Sequence, residues 1–189
     1  ELTALELDRF NTALRPLRAG GITFKYVHAA NSPGTLTSTD NHLNMVRPGL
    51  MLYGLHPSKQ VQAYDGIRTV MSWKTQVLQV KEFPPGSPIG YNGTYTTRTN
   101  ERIAILPVGY ADGFRRAPHT WEYVLIHGKR APVVGRVSME KSAVKVDGIS
   151  DVRMGDEVVL LGRQGDEVIT TEMIAEWLDT CDYEVITIM

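Results

Sequence analysis

The sequence predicts a short α/β segment followed by a mainly antiparallel β domain that carries one helix. Three observations lead there. The opening residues place apolar side chains at helical spacing and then twice pass from a brief apolar run through a polar end into a proline turn. After Pro57 the pattern becomes a series of strand-length runs separated by Gly, Pro or Asp. The chain has 189 residues, so a closed eightfold α/β barrel of about 250 residues does not fit whole.

Leu7, Phe10, Leu14 and Leu17 form the helical stripe, and Gly20-Gly21 ends that helix near Ala19. FKYVHAAN (24–31) reads as a strand with a polar end. Ser32-Pro33 follows as an N-cap serine with proline at the first helical position. NMVRPGLMLYG (44–54) repeats the plan, with a strand through Val46, Arg47 at its end and a Pro-Gly turn. These are consecutive βα units, assigned to residues 1–57.

Residues 58–189 form the β domain. Its strand-like runs are VMSWKTQVLQV (70–80), ERIAILPV (101–108), YVLIHG (123–128), APVVGRVS (131–138), SAVKV (142–146) and DEVVLLG (156–162). One helix, capped by Thr170 or Thr171, presents Met173, Ile174, Trp177 and Leu178 on an apolar face, and a last strand starts at Tyr183.

Composition narrows the function. Hydrophobic residues make up 42% and charged residues 22%, enough for a packed core. Twenty basic against 21 acidic residues give a net charge of -1, so no global field draws in nucleic acid or an anionic membrane. A single cysteine, Cys181, rules out an internal disulfide and points to the cytoplasm. No apolar run reaches the roughly 18 residues of a membrane span. The five histidines are scattered without a metal-ligand pair, so no metal is expected. Nucleotide-binding glycine fingerprints and a serine-hydrolase elbow are absent from the sequence.

Several residues could carry chemistry. Ser32 offers a hydroxyl at a strand-to-helix junction, either as a plain cap or as a phosphate ligand, and Pro48-Gly49-Leu50 exposes amides after the next strand. Arg47 is either a salt-bridged rim residue or a permanent donor to a ring nitrogen or carboxylate that it can never protonate. His28 either packs or orients that arginine. Tyr91, between Gly90 and Asn92, is a half-buried strand tyrosine or a protruding base. Tyr110 has the same ambiguity, and Arg115-Arg116 reads as a solvated pair.

Taken in order, VHAANSPGTL, NMVRPGLMLYG, IGYNGTYTT, LPVGYADGFRR, APVVGRVSMEK and LLGRQGDEVITTEMIAEWLDTCDYEVITIM resemble the second half of bacterial alanine racemases. The resemblance covers essentially the whole chain. It implies the last βα units of a (β/α)8 barrel followed by a β domain. It also implies pyridoxal 5'-phosphate as cofactor, alanine as substrate, and a homodimer whose active sites are shared between subunits.

Under this resemblance Asn31, Ser32, Gly49 and Leu50 bind the cofactor phosphate, and Arg47 faces the pyridine nitrogen with His28 behind it. Tyr91 is the catalytic base on one face of the substrate. Tyr110 borders the channel, and the backbone of Met139 contacts the substrate carboxylate. An arginine at the ring nitrogen leaves it unprotonated and weakens the ring as an electron sink, which restrains transamination.

Racemisation needs a base on each face of the substrate carbon, and Tyr91 is only one. The second base of the family is its Schiff-base lysine, in a motif resembling YAVVKANAYGHG that is not found here. Lys25, Lys129, Lys141 and Lys145 lie elsewhere. The expectation is a C-terminal fragment of an alanine racemase that supplies D-alanine for peptidoglycan, inactive alone and lacking the β domain's last strand. Alternatives are a serine or broad-specificity racemase, or a non-catalytic dimerisation or complementation fragment. Two departures bear on substrate preference: Met139-Glu140 stands where the family usually has Met-Asp, and Tyr91-Asn92 where it commonly has Tyr-Gly.

Overall fold

A computed structural model of the chain describes residues 2–56 and 66–189. Two compact units result, Glu1–Val70 and Met71–Met189. The boundary expected between residues 57 and 58 falls outside the described residues.

In the first unit, helix α1 (Leu2–Ala19) ends where the glycine pair predicts. The Ile22 amide reaches back to Leu17 O at 3.1 Å and Gly21 to Arg18 O at 3.0 Å, a Schellman closure. Leu14 is buried, but Leu17 is exposed, so the predicted apolar stripe is covered only in part.

Helix α2 (Ser32–Thr37) starts one residue away from the expected cap. Asn31, in extended conformation, takes the cap position, and its side chain accepts the Gly34 amide at 3.1 Å. Ser32 is therefore the first helical residue, and its hydroxyl is free of capping. A short 3-10 turn, Thr39–Asn41, follows, and a second, Leu50–Tyr53, comes after the Pro-Gly turn.

The two strands expected at 24–31 and 44–46 lie side by side, yet they do not form a ladder. Asn44 N–H donates to Val27 O at 3.3 Å and Arg47 N–H to Ala30 O at 2.9 Å, an in-step pairing that is parallel in sense. At and before the first of these points the Asn44 side chain substitutes for backbone. Its oxygen accepts the Val27 amide at 2.6 Å and its nitrogen donates to Lys25 O at 3.1 Å. Sequence periodicity carries no sign of that substitution.

The second unit is built on antiparallel strands β1 (Trp73–Gln76), β2 (Gln79–Phe83), β3 (Pro88–Ile89), β4 (Tyr95–Thr96), β5 (Glu101–Leu106), β6 (Tyr123–Ile126), β7 (Lys129–Val134), β8 (Ser142–Lys145), β9 (Glu157–Gln164) and β10 (Glu167–Ile169). The main sheet runs β1-β9-β6-β7-β8-β5-β2, with β10 on β9, and β3-β4 form a separate hairpin. The run expected as one strand from residue 70 to 80 is two, because β1 pairs with β9 and β2 with β5. Only Val77 and Leu78 link them, so the two edges of the sheet are drawn together and the sheet curls on itself. Val77 N–H donates to Asp156 O at 2.9 Å and Leu78 N–H to Ile105 O at 2.8 Å, closing the seam.

Inside, Phe114 stacks on Trp121 with ring centroids 4.6 Å apart, and Trp73 meets both edge-on. Trp121 satisfies its indole N–H on Leu160 O at 3.0 Å, as a buried tryptophan requires. All four residues of β6 are buried, and Trp177 packs against its Tyr123.

Helix α3 (Thr171–Leu178) is capped by Thr170, which accepts the Met173 amide at 3.3 Å, and buries Ile174, Ala175 and Leu178. In place of the single helix expected, the described residues of this unit hold two α-helices, and Tyr183 does not begin a strand: α4 (Asp182–Thr187) is helical. Its β-branched residues suggested a strand, but Asp182 and Glu184 in the first turn suit a helix N-terminus. Thr180 hydroxyl donates to Glu184, and Val185 is fully buried in the core. Tertiary packing and charge placement override β propensity here.

Candidate active site

The sequence-selected residues fall into two sets, one in each unit. In the first, Ser32 is only 2% exposed, and its Oγ accepts the Gly49 amide at 2.8 Å and the Met51 amide at 3.4 Å. The turn after Arg47 is thus fastened to the start of α2. A hydroxyl that accepts from two amides still has its own proton to give. The Gly49 amide, expected to face a ligand, is spent on Ser32, so an oxyanion at this junction would find the Ser32 O–H and the Leu50 amide, which suits a phosphate better than a neutral group.

Arg47 donates from Nη1 to His28 Nδ1, and from Nη2 to Ala29 O at 3.4 Å. Since a guanidinium only donates, His28 Nδ1 must be the accepting nitrogen and the ring proton sits on Nε2. Of the two readings that sequence leaves open for His28, packing or orienting the arginine, the structure makes it a direct partner of Arg47.

In the second unit three loops converge. Tyr91 opens a 3-10 turn, Tyr91–Gly93, at the tip of the β3-β4 hairpin and is 62% exposed, so it protrudes instead of lying in a strand. Asn92 has a φ of 61°, a left-handed conformation that asparagine tolerates better than other residues with a side chain. The residue after the tyrosine must therefore be one that accepts the left-handed region, as asparagine and glycine do.

Tyr110 opens a second 3-10 turn, Tyr110–Asp112, in which Asp112 accepts the Gly109 amide at 2.9 Å. The third loop carries Met139, whose carbonyl accepts the Ala111 amide at 2.9 Å, while Ser138 O accepts Tyr110 N–H at 3.1 Å. A Cβ on Gly109 would stand 2.2 Å from Ser138 O and 2.4 Å from Met139 O, so only glycine permits this approach. On the other side Gly135, at φ +69°, brings the Met139 loop to the Tyr91 hairpin, where a Cβ would meet Ile89 O at 2.7 Å.

Two further residues organise this region, one without a sequence signal and one expected to be solvated. Glu101, only 1% exposed, accepts the Tyr95 phenol at 2.6 Å and the Arg98 amide at 3.0 Å, and pairs with Lys145 at 3.0 Å. It fastens the hairpin that presents Tyr91. The hydrogen bonds from Tyr95 and Arg98 hold its carboxyl down at about 2. Burial, with Glu101 alongside, raises the Tyr95 phenol.

The other is Arg116. It is not a solvated residue: its guanidinium lies over the ring of Tyr91 at 5.6 Å and of Tyr110 at 6.0 Å, and donates to Val137 O at 3.1 Å. Arg115 pairs instead with Glu184 at 3.7 Å. Two adjacent arginines carry no sign in sequence of which one turns to the tyrosine rings.

Among the described residues, no group of three His, Cys, Asp or Glu could hold a metal ion, and no helix is long and apolar enough to cross a membrane.

Known proteins match along the whole chain. The family described as alanine racemase, N-terminal domain, matches residues 1–57, and that described as alanine racemase, C-terminal domain, matches residues 70–189. The alanine racemase of Halothermothrix orenii is 43% identical over 179 residues, covering 95% of this chain and 47% of that protein. That of Symbiobacterium thermophilum is 45% identical over 184 residues, covering 97% and 49%.

Among solved structures, Bacillus anthracis alanine racemase with bound L-Ala-P superposes with a TM-score of 0.91 at 37% identity, covering 100% of this chain and 49% of that one. Clostridium difficile 630 alanine racemase in complex with cycloserine gives 0.89 at 36% identity, with the same coverage. Fold and sequence thus define a protein that joins the last βα units of a (β/α)8 barrel to a mainly antiparallel β domain. Within that class the chain belongs to the alanine racemase family, and it spans about half the length of the relatives it matches.

Proposed function

We propose that this chain supplies the C-terminal half of an alanine racemase that interconverts L- and D-alanine with pyridoxal 5'-phosphate. One observation carries the reading. The loops that carry Tyr91, Tyr110 and Met139 are joined by backbone approaches that only glycine permits. The residues of the first unit fit the cofactor: a buried hydroxyl released from capping, amides beside it, and an arginine oriented by a histidine.

In this reading the Ser32 hydroxyl and the Leu50 amide, with Asn31 alongside, hold the phosphate, and the Gly49 amide holds Ser32 in place. Arg47 donates to the ring nitrogen without protonating it, and His28 fixes the direction of that donation. The cofactor, when bound, withdraws electrons from the substrate Cα and so makes its hydrogen acidic. Tyr91 moves that proton on one face through its phenolic oxygen. The Met139 backbone meets the substrate carboxylate, and Tyr110 narrows the approach.

The opposite face needs a second base, which in this reading is a lysine in the half of the relatives' length that these 189 residues do not span. The active unit is a homodimer that joins the barrel of one subunit to the β domain of the other. It works in the cytoplasm and supplies D-alanine for peptidoglycan.

The test is to purify the complete protein with pyridoxal phosphate and compare turnover of L-alanine, L-serine and L-lysine. Alanine should be racemised fastest. Preferential turnover of serine, or none of alanine, would refute the assignment.

A further inference from the structure

We infer that Arg116 is a positioning residue for the proton-transfer tyrosine, acting on Tyr91 and Tyr110 together from above their rings. The inference rests on the racemase reading for what Tyr91 does, and on geometry for what Arg116 does. Tyr91 is 62% exposed and sits on a 3-10 turn at a hairpin tip, and no hydrogen bond from its hydroxyl holds the ring among the described residues. A base in such a place has rotamer freedom, while proton transfer requires its oxygen within hydrogen-bond reach of the substrate carbon's proton.

Arg116 restricts that freedom. Its guanidinium is half-buried, lies 5.6 Å from the Tyr91 ring centroid and 6.0 Å from that of Tyr110, and is anchored by its 3.1 Å hydrogen bond to Val137 O. Both distances fall in the range where a cation is attracted to a ring face. Val137 lies on the loop that carries Met139, so one side chain touches all three loops of the candidate site. Arg115, its neighbour, is occupied by Glu184 and leaves this position to Arg116.

The test uses the complete holoenzyme and separates the two faces of the substrate. Deuterium wash-in at Cα of L-alanine depends on Tyr91, whereas wash-in at Cα of D-alanine depends on the opposite base. Arg116→Ala should slow exchange from L-alanine about tenfold and leave that from D-alanine within about twofold. Arg116→Lys keeps a cation within reach of the rings and should recover at least about threefold of the loss. Equal slowing for both enantiomers, no slowing, or a lysine variant as poor as alanine would each overturn the inference.

A second readout needs no turnover. In the complete protein with tyrosine rings carbon-13 labelled, Arg116→Ala should shift the Tyr91 and Tyr110 ring resonances and leave those of Tyr95 and Tyr123 in place. Unmoved Tyr91 and Tyr110 signals would overturn it. If the wild-type holoenzyme exchanged neither enantiomer, the racemase reading would fall while the ring resonances still decided the role of Arg116.

Discussion

The amide of Gly49 donates to Ser32 Oγ at 2.8 Å, tying the turn after Arg47 to the first residue of α2. Because Asn31 caps that helix, the serine proton is left over. Ser32→Ala should therefore weaken pyridoxal phosphate binding by the complete protein about tenfold or more, the usual loss when a hydrogen bond to a charged group is removed. Equilibrium dialysis measures this, and an unchanged dissociation constant would remove Ser32 from the phosphate site.

The role of Tyr91 predicts a one-sided exchange defect. Tyr91→Phe should cut α-deuterium wash-in to L-alanine by about a hundredfold or more, the scale of a lost general base, while D-alanine continues to exchange. Net racemisation should fall equally in both directions, because the two enantiomers are equal in free energy. Retained exchange from L-alanine in the phenylalanine variant would contradict the assignment.

How much of this was legible in sequence differs from element to element. The glycine pair closing α1, the threonine capping α3 and most β-domain strands follow from local chemistry that operates within a few residues. The misread pieces depend on partners far along the chain. Asn44 replaces ladder bonds to a segment about one helix away, and α4 is helical because Val185 finds a core to enter. In the site, the sequence picks out the tyrosines and Arg47 by their setting in motifs. It does not reveal that Arg116 turns to the tyrosine rings and Arg115 to Glu184, since that choice is made by partners distant in the chain.

Gly109 should tolerate no side chain. Gly109→Ala would press a methyl group to 2.2 Å from Ser138 O, and the surrounding atoms are backbone, so they cannot swing away. A loss of about 2 to 3 kcal/mol of stability is expected, together with displacement of Tyr110. Denaturant unfolding of the complete protein measures the first, and a variant as stable as wild type would show that the loops can separate without cost.

Glu101 should make stability depend on acid. Its carboxyl sits at about 2 in the folded protein against an ordinary value of 4.5, because Tyr95 and Arg98 donate to it. A depressed folded value means that the stabilisation is complete above the unfolded value and is lost as pH falls through 4.5 toward 2. Glu101→Gln should be less stable than wild type at neutral pH, and the difference should shrink over that window. Parallel stability profiles for the two proteins from neutral pH to pH 2 would exclude Glu101 as the source.

The seam between β1 and β2 has a consequence for how the protein is made. Trp73 pairs with Leu161, so the strand that begins the second unit waits for one of the last to be synthesised. During translation β1 and the aromatic residues around it leave the ribosome with no partner, and the cylinder cannot close until β9 emerges. Such long-range pairing is slow to form and leaves strand edges open meanwhile. Chaperone demand during synthesis should thus peak before residue 157 is released, the point at which β9 begins.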